Sequence, residues 1–153
     1  MQRRTFLKGS LAASAAGVAA GAGLLVPGSV LAEWNTAAFG AKDINEAMTA
    51  IAGGAGEASG DIKIKAPDIA ENGAVVPVTV TSSIAGTESI SIFAANNATP
   101  LTSSYTMGEG AEGYVSIRIK MGKTADVVAL VKAGGKVYSA KKEVKVTIGG
   151  CGG

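Results

Sequence analysis

From Asp61 onward, apolar residues recur at every second position, and this alternation confines the chain to strands. Ile62 and Ile64 alternate with Lys63 and Lys65. Val76, Val78 and Val80 alternate with Thr79 and Thr81, with Pro77 marking an edge strand or a bulge. Ile90 and Ile92 alternate with Ser89 and Ser91, and Val115, Ile117, Ile119 and Met121 with Ser116, Arg118 and Lys120. A period of two sends successive side chains to opposite faces of a sheet, so each run has one face to bury and one to solvate. Val127 to Val131 is apolar throughout, the pattern of a strand covered on both faces. Whether that second face meets the chain's own core or a partner is open at this level. Ala133-Gly134-Gly135-Lys136 then supplies a turn into a last strand that ends Val144-Lys145-Val146-Thr147-Ile148.

Ahead of the strands, Lys42 to Gly53 reads as one short helix. Asp43 is its cap, Glu46 follows at capping-box spacing, and Ile44, Ala47, Met48 and Ile51 share a face. Gly53-Gly54 ends it, and the glycines to Gly60 read as a plain linker, since they lack the lysine and the strand-to-helix setting of a phosphate loop. Short strands, frequent turn signals, few aromatics and one leading helix predict a mainly β fold. The expected architecture is an immunoglobulin-like antiparallel β-sandwich with a short N-terminal helix and a flexible C-terminal Gly-Gly-Cys-Gly-Gly arm. A closed barrel is the competing architecture.

The N-terminus reads as an export signal. Arg3-Arg4 precede Phe6-Leu7-Lys8, an apolar Ala- and Gly-rich stretch runs from Gly9 to Val26, and Val30-Leu31-Ala32 has the small-residue pattern of a cleavage site. The paired arginines point to the twin-arginine route and thus to the periplasm. An uncleaved anchor is the alternative, but so much Ala and Gly gives a weak insertion energy. The expected organisation is a signal peptide over 1–32 removed after Ala32, a helix and Gly-rich linker over 33–60, a sandwich over 61–148, and an arm over 149–153. No membrane attachment is expected after cleavage.

Cleavage changes the charge. The whole chain has 14 Lys and Arg against 12 Asp and Glu, a net of +2. The leader takes Arg3, Arg4 and Lys8 and no acid, leaving 11 against 12, a net of −1. A near-neutral domain with scattered lysines has no electrostatic footprint for nucleic acid.

One cysteine is present, Cys151, set between Gly149-Gly150 and Gly152-Gly153, and histidine is absent. A thiol flanked by four glycines at a terminus is poorly placed to pack in a core. An intermolecular disulfide needs no glycine on both sides, and a prenylation motif would put the cysteine fourth from the end instead of third. The remaining reading is a covalent carrier whose thin backbone enters clefts and presents a bound group to successive enzymes. No basic residue flanks Cys151, and the nearest lysine is Lys145, so partner enzymes are expected to activate the thiol. The chain shows no haem motif or metal cluster, and no bound cofactor is expected.

Gly149-Gly150-Cys151-Gly152-Gly153, together with Arg3-Arg4-Thr5-Phe6-Leu7-Lys8, resembles the SoxY family, the sulfur-carrier subunits of the Sox thiosulfate-oxidising system. The resemblance extends, less specifically, over the helix and β-rich body between them. It implies a heterodimer with a SoxZ-like β-sandwich subunit and covalent attachment of thiosulfate-derived sulfur at Cys151. It also implies loading by a c-type cytochrome complex, release of sulfate by a dimanganese hydrolase, and in some systems oxidation by a sulfane dehydrogenase. Two other readings compete. One is a small carrier bearing sulfur as a C-terminal Gly-Gly thiocarboxylate; the other is a non-catalytic interaction domain with a disulfide-forming tail.

Overall fold

The computed structural model describes residues 34–147. Two short helices lead. The first, α1 (Thr36–Gly40), is capped by Asn35, whose side chain accepts from the Ala38 N–H and donates to the Ala50 carbonyl at 3.0 Å, tying this helix to the next. The second, α2 (Ile44–Ala52), is the helix the capping pattern predicts. Asp43 Oδ1 accepts from the N–H groups of Asn45 and Glu46 at 2.8 and 3.3 Å, satisfying donors that a helix start leaves open. Gly53 ends it at φ 81°, a left-handed conformation costly for residues with a Cβ. The helix α1 has no counterpart in the sequence reading, because TAAFG carries too few positions to show a period.

Among the described residues nine strands follow: β1 (Glu57–Ala58), β2 (Ile62–Lys65), β3 (Ile69–Ala70), β4 (Val76–Ser82), β5 (Thr87–Ala94), β6 (Leu101–Thr106), β7 (Gly113–Ile119), β8 (Ala125–Ala133) and β9 (Lys136–Val146). They form two sheets. The larger runs β1-β9-β8-β5-β6, with β3 also on β9; the smaller runs β2-β4-β7. Two separate sheets exclude the barrel.

The central pairings are antiparallel as expected, but β1 and β3 both join β9 in parallel. The glycine-rich stretch after α2 is thus more than a linker, since Glu57 and Ala58 pair with Tyr138 and Ser139. Pro77 also finds its reason. β2 pairs with β4 only from Thr79 to Ser82, so Pro77 has β7 on one side and no strand on the other, where a missing N–H costs no ladder bond. The strand β6 was not legible. LTSSYT is polar because it lies at the sheet edge, half-buried, with Ser104 hydrogen-bonded to Ser91 at 2.8 Å.

The core lies between the sheets. Ile62, Val76, Val78, Val80, Val115 and Ile119 of the small sheet meet Ile90, Ile92, Val127, Ala129, Val131 and Val144 of the large one. Burying side chains of this kind contributes about 1.5–3 kcal/mol each. The other face of the large sheet is covered by the helices: Ala38, Ala41, Ala47 and Met48 pack on Phe93, Leu101 and Leu130. This accounts for the apolar run of β8. Val127, Ala129 and Val131 serve the inter-sheet core, while Val128 and Leu130 serve the helical layer.

Candidate functional site

Every sequence-predicted site residue lies outside the described residues: Cys151, its glycines Gly149, Gly150, Gly152 and Gly153, the export pair Arg3 and Arg4, and the cleavage residue Ala32. The structure does describe the base from which the arm departs, and that base is held from both edges. In a strand, successive N–H groups point to opposite sides. On one side of β9, the Lys145 N–H donates to the Asp68 carbonyl at 3.0 Å and the Thr147 N–H to the Ala70 carbonyl at 3.1 Å. On the other, the Val146 N–H donates to Thr124 Oγ1 at 2.9 Å, and that hydroxyl lies 3.5 Å from the Val146 carbonyl. Backbone pairing therefore continues through Thr147, four residues before Cys151.

Side chains hold the same stretch. Val144 is fully buried and Val146 packs against the inter-sheet core. Lys142 lies on the core side of β9, and its ammonium reaches the open edge between the sheets, donating to the Ala66 carbonyl at 2.6 Å and pairing with Asp68 at 3.0 Å. Asp68 is exposed, so the ion pair adds little energy; its effect is to keep the 66–70 segment, which carries β3, against β9.

Beneath Val146, Gly73 donates no side chain but its carbonyl accepts from the Met121 N–H at 2.7 Å. A Cβ there would fall against the Met121 carbonyl oxygen and 2.8 Å from Val146 Cγ1. Only glycine lets the 71–75 loop lie this close to the arm's base. Sequence reasoning missed Ala70, Gly73 and Thr124, because each acts on a strand more than 20 residues away and nothing local marks it.

A two-layer β scaffold, with its last strand held on both edges through Thr147 and followed in sequence by Gly-Gly-Cys-Gly-Gly, defines the class: a β-sandwich body whose one cysteine comes four residues after the last backbone pairing. The comparisons supply the family. A sequence model described as "Sulfur oxidation protein SoxY" matches residues 48–151, well over half of the chain and through Cys151 itself. The chain belongs to the SoxY family.

Among solved structures, the sulfur carrier protein SoxY from Chlorobium limicola f thiosulfatophilum is 47% identical, with a TM-score of 0.63 over 69% of this chain and 97% of that one. A superoxide reductase (neelaredoxin) from Ignicoccus hospitalis is 20% identical, with a TM-score of 0.49 over 56% of this chain and 80% of that one, a likeness too slight to bear on chemistry. No curated protein matches the sequence.

Proposed function

We propose that this protein is a periplasmic carrier that holds thiosulfate-derived sulfur covalently on Cys151 and presents it to other enzymes. The observation that carries this reading is the family match running to Cys151, joined to 47% identity with a SoxY sulfur carrier over nearly all of that chain. The geometry of the base supports it, since a group carried beyond Thr147 departs from a strand fixed on both edges.

The chemistry follows from the thiol. Loading joins Cys151–SH to the outer sulfur of thiosulfate, giving Cys151–S–S–SO3⁻ with loss of one proton and two electrons. A c-type cytochrome complex accepts the electrons. Water then cleaves the S–SO3 bond on a dimanganese hydrolase, releasing sulfate and a proton and leaving Cys151–S–SH. A sulfane dehydrogenase is the enzyme class that oxidises this outer sulfur before a second hydrolysis frees the thiol. Disulfide-type sulfurs exchange by thiolate attack at sulfur, so a cysteine suits this cargo. The carrier performs none of these steps itself. We further propose a SoxZ-like sandwich as its partner in a heterodimer, and export of the folded pair on the twin-arginine signal around Arg3 and Arg4.

The test is intact-mass and peptide analysis of the protein incubated with thiosulfate, partner and cytochrome complex. The expected result is a thiosulfonate increment on the Cys151 peptide, lost entirely in Cys151→Ser. Loading retained in the serine variant would place the sulfur elsewhere and overturn the reading.

A further inference from the structure

The 71–75 loop carries the one Asn-Gly pair in the chain, Asn72-Gly73; the other asparagines precede Thr36, Glu46, Asn97 and Ala98. A side chain on the following residue crowds the approach of its backbone nitrogen to the asparagine carboxamide, and glycine has none. The fold favours that approach further. Asn72 Oδ1 accepts from the Ala74 N–H at 2.9 Å, which folds the carboxamide forward over the Gly73 peptide. The same bond polarises the side-chain carbonyl, as a donor aimed at a developing oxyanion does. Among the described residues the Gly73 N–H donates to no acceptor, so its proton leaves without breaking a hydrogen bond. Asn72 is exposed, and water reaches it.

This is also a place where a change of backbone is felt. The Asn72 carbonyl accepts from the Val75 N–H at 3.3 Å, and the Gly73 carbonyl from the Met121 N–H at 2.7 Å. Gly73 itself lies so close to the Met121 carbonyl and to Val146 that a Cβ does not fit.

We propose that Asn72-Gly73 is a self-modifying site, where the chain converts without an enzyme to isoaspartate and so loosens the loop's hold on the base of β9. The Gly73 nitrogen, having lost its proton to hydroxide, attacks Asn72 Cγ. The Cγ–Nδ2 bond breaks, ammonia leaves after taking a proton from water, and a five-membered imide remains. Water opens the imide at either carbonyl, its oxygen staying on that carbon and a proton returning to the Gly73 nitrogen. Opening at Cγ gives aspartate on the original main chain. Opening at the α-carbonyl gives isoaspartate, in which the main chain runs through Cβ and Cγ and the former Asn72 carbonyl is a free carboxylate. No electrons are transferred, and either product gains one negative charge.

The two products differ in what they do to the loop. Aspartate keeps an oxygen for Ala74 and the carbonyl for Val75. Isoaspartate puts an extra carbon into the main chain next to Gly73, which has no space to absorb it, and draws the Gly73 carbonyl away from Met121. The reaction belongs to the body and does not depend on what Cys151 carries.

The test ages the purified full chain in mildly alkaline H2¹⁸O beside the same chain held unfolded in urea. Mass should rise by about three daltons, the mark of ammonia lost and one ¹⁸O gained. Electron-transfer fragmentation should place the change at Asn72, as isoaspartate and aspartate, with Asn96 and Asn97 intact. The rate should climb with pH and match or exceed that in urea, and Asn72→Asp should gain no mass. A folded rate severalfold below the unfolded one overturns the proposal. Hydrogen exchange on the separated products reads the effect on the fold. The Met121 amide should exchange severalfold faster in the isoaspartyl form than in Asn72→Asp, which has the same charge. Equal exchange in the two would overturn the link to β9.

Discussion

At the scale of single residues, the arm's base depends on side chains that are small or absent. Gly73 leaves room for the Met121 carbonyl and for Val146, and a methyl group has nowhere to go, because both neighbours belong to backbone or packed core. Gly73→Ala is expected to cost about 1–3 kcal/mol, as overpacking does in a tight interior. A shift of the urea midpoint at unchanged slope measures it; a midpoint equal to wild type would show that the 71–75 loop swings away freely. Cys151 behaves in the opposite way. The residues alone single it out, as one cysteine among four glycines, and it lies outside the described residues. Gly73 was not legible, because a glycine in a loop looks the same whether its neighbours are solvent or a strand from the far end of the chain.

At the scale of elements, β9 is the strand that runs on in sequence toward Cys151. Its apolar positions Val144 and Val146 were readable from the period of two; the third, Ile148, lies outside the described residues. Its neighbours were not. The segments β1 and β3 are two residues each, too short to show a period, and pair in parallel with strand residues 81 and 76 positions later in the chain. The Thr124 hydroxyl substitutes for a ladder partner one residue before the start of β8. Thr124→Ala should therefore loosen one edge of the base while leaving β3 in place. The expected cost is about 0.5–1.5 kcal/mol, the net value of one hydrogen bond. Hydrogen exchange at the Val146 amide should accelerate severalfold, with little change at Thr147, whose N–H bonds to Ala70. Equal acceleration at both amides would mean that the two edges open together.

At the scale of the whole molecule, the described body carries its own two-layered core. Both clusters of buried side chains and all strand pairings described fall within residues 35–147. Removing the arm, residues 149–153, should leave the thermal midpoint of the unloaded protein within about 2 °C, as expected for a change outside the packed body, while abolishing sulfur loading. A larger fall would show that those residues contribute to the folded body. The sequence by itself determined the strand-rich class, the capped helix α2, the two-faced burial of β8 and the singular cysteine, because each is written in neighbouring residues through period, cap or composition. Tertiary structure alone decided that the helices form the second layer on the large sheet and that β3 and Thr124 grip β9 from opposite edges. These depend on which distant segments meet, and meeting is settled by the packing of whole faces, which no local pattern records.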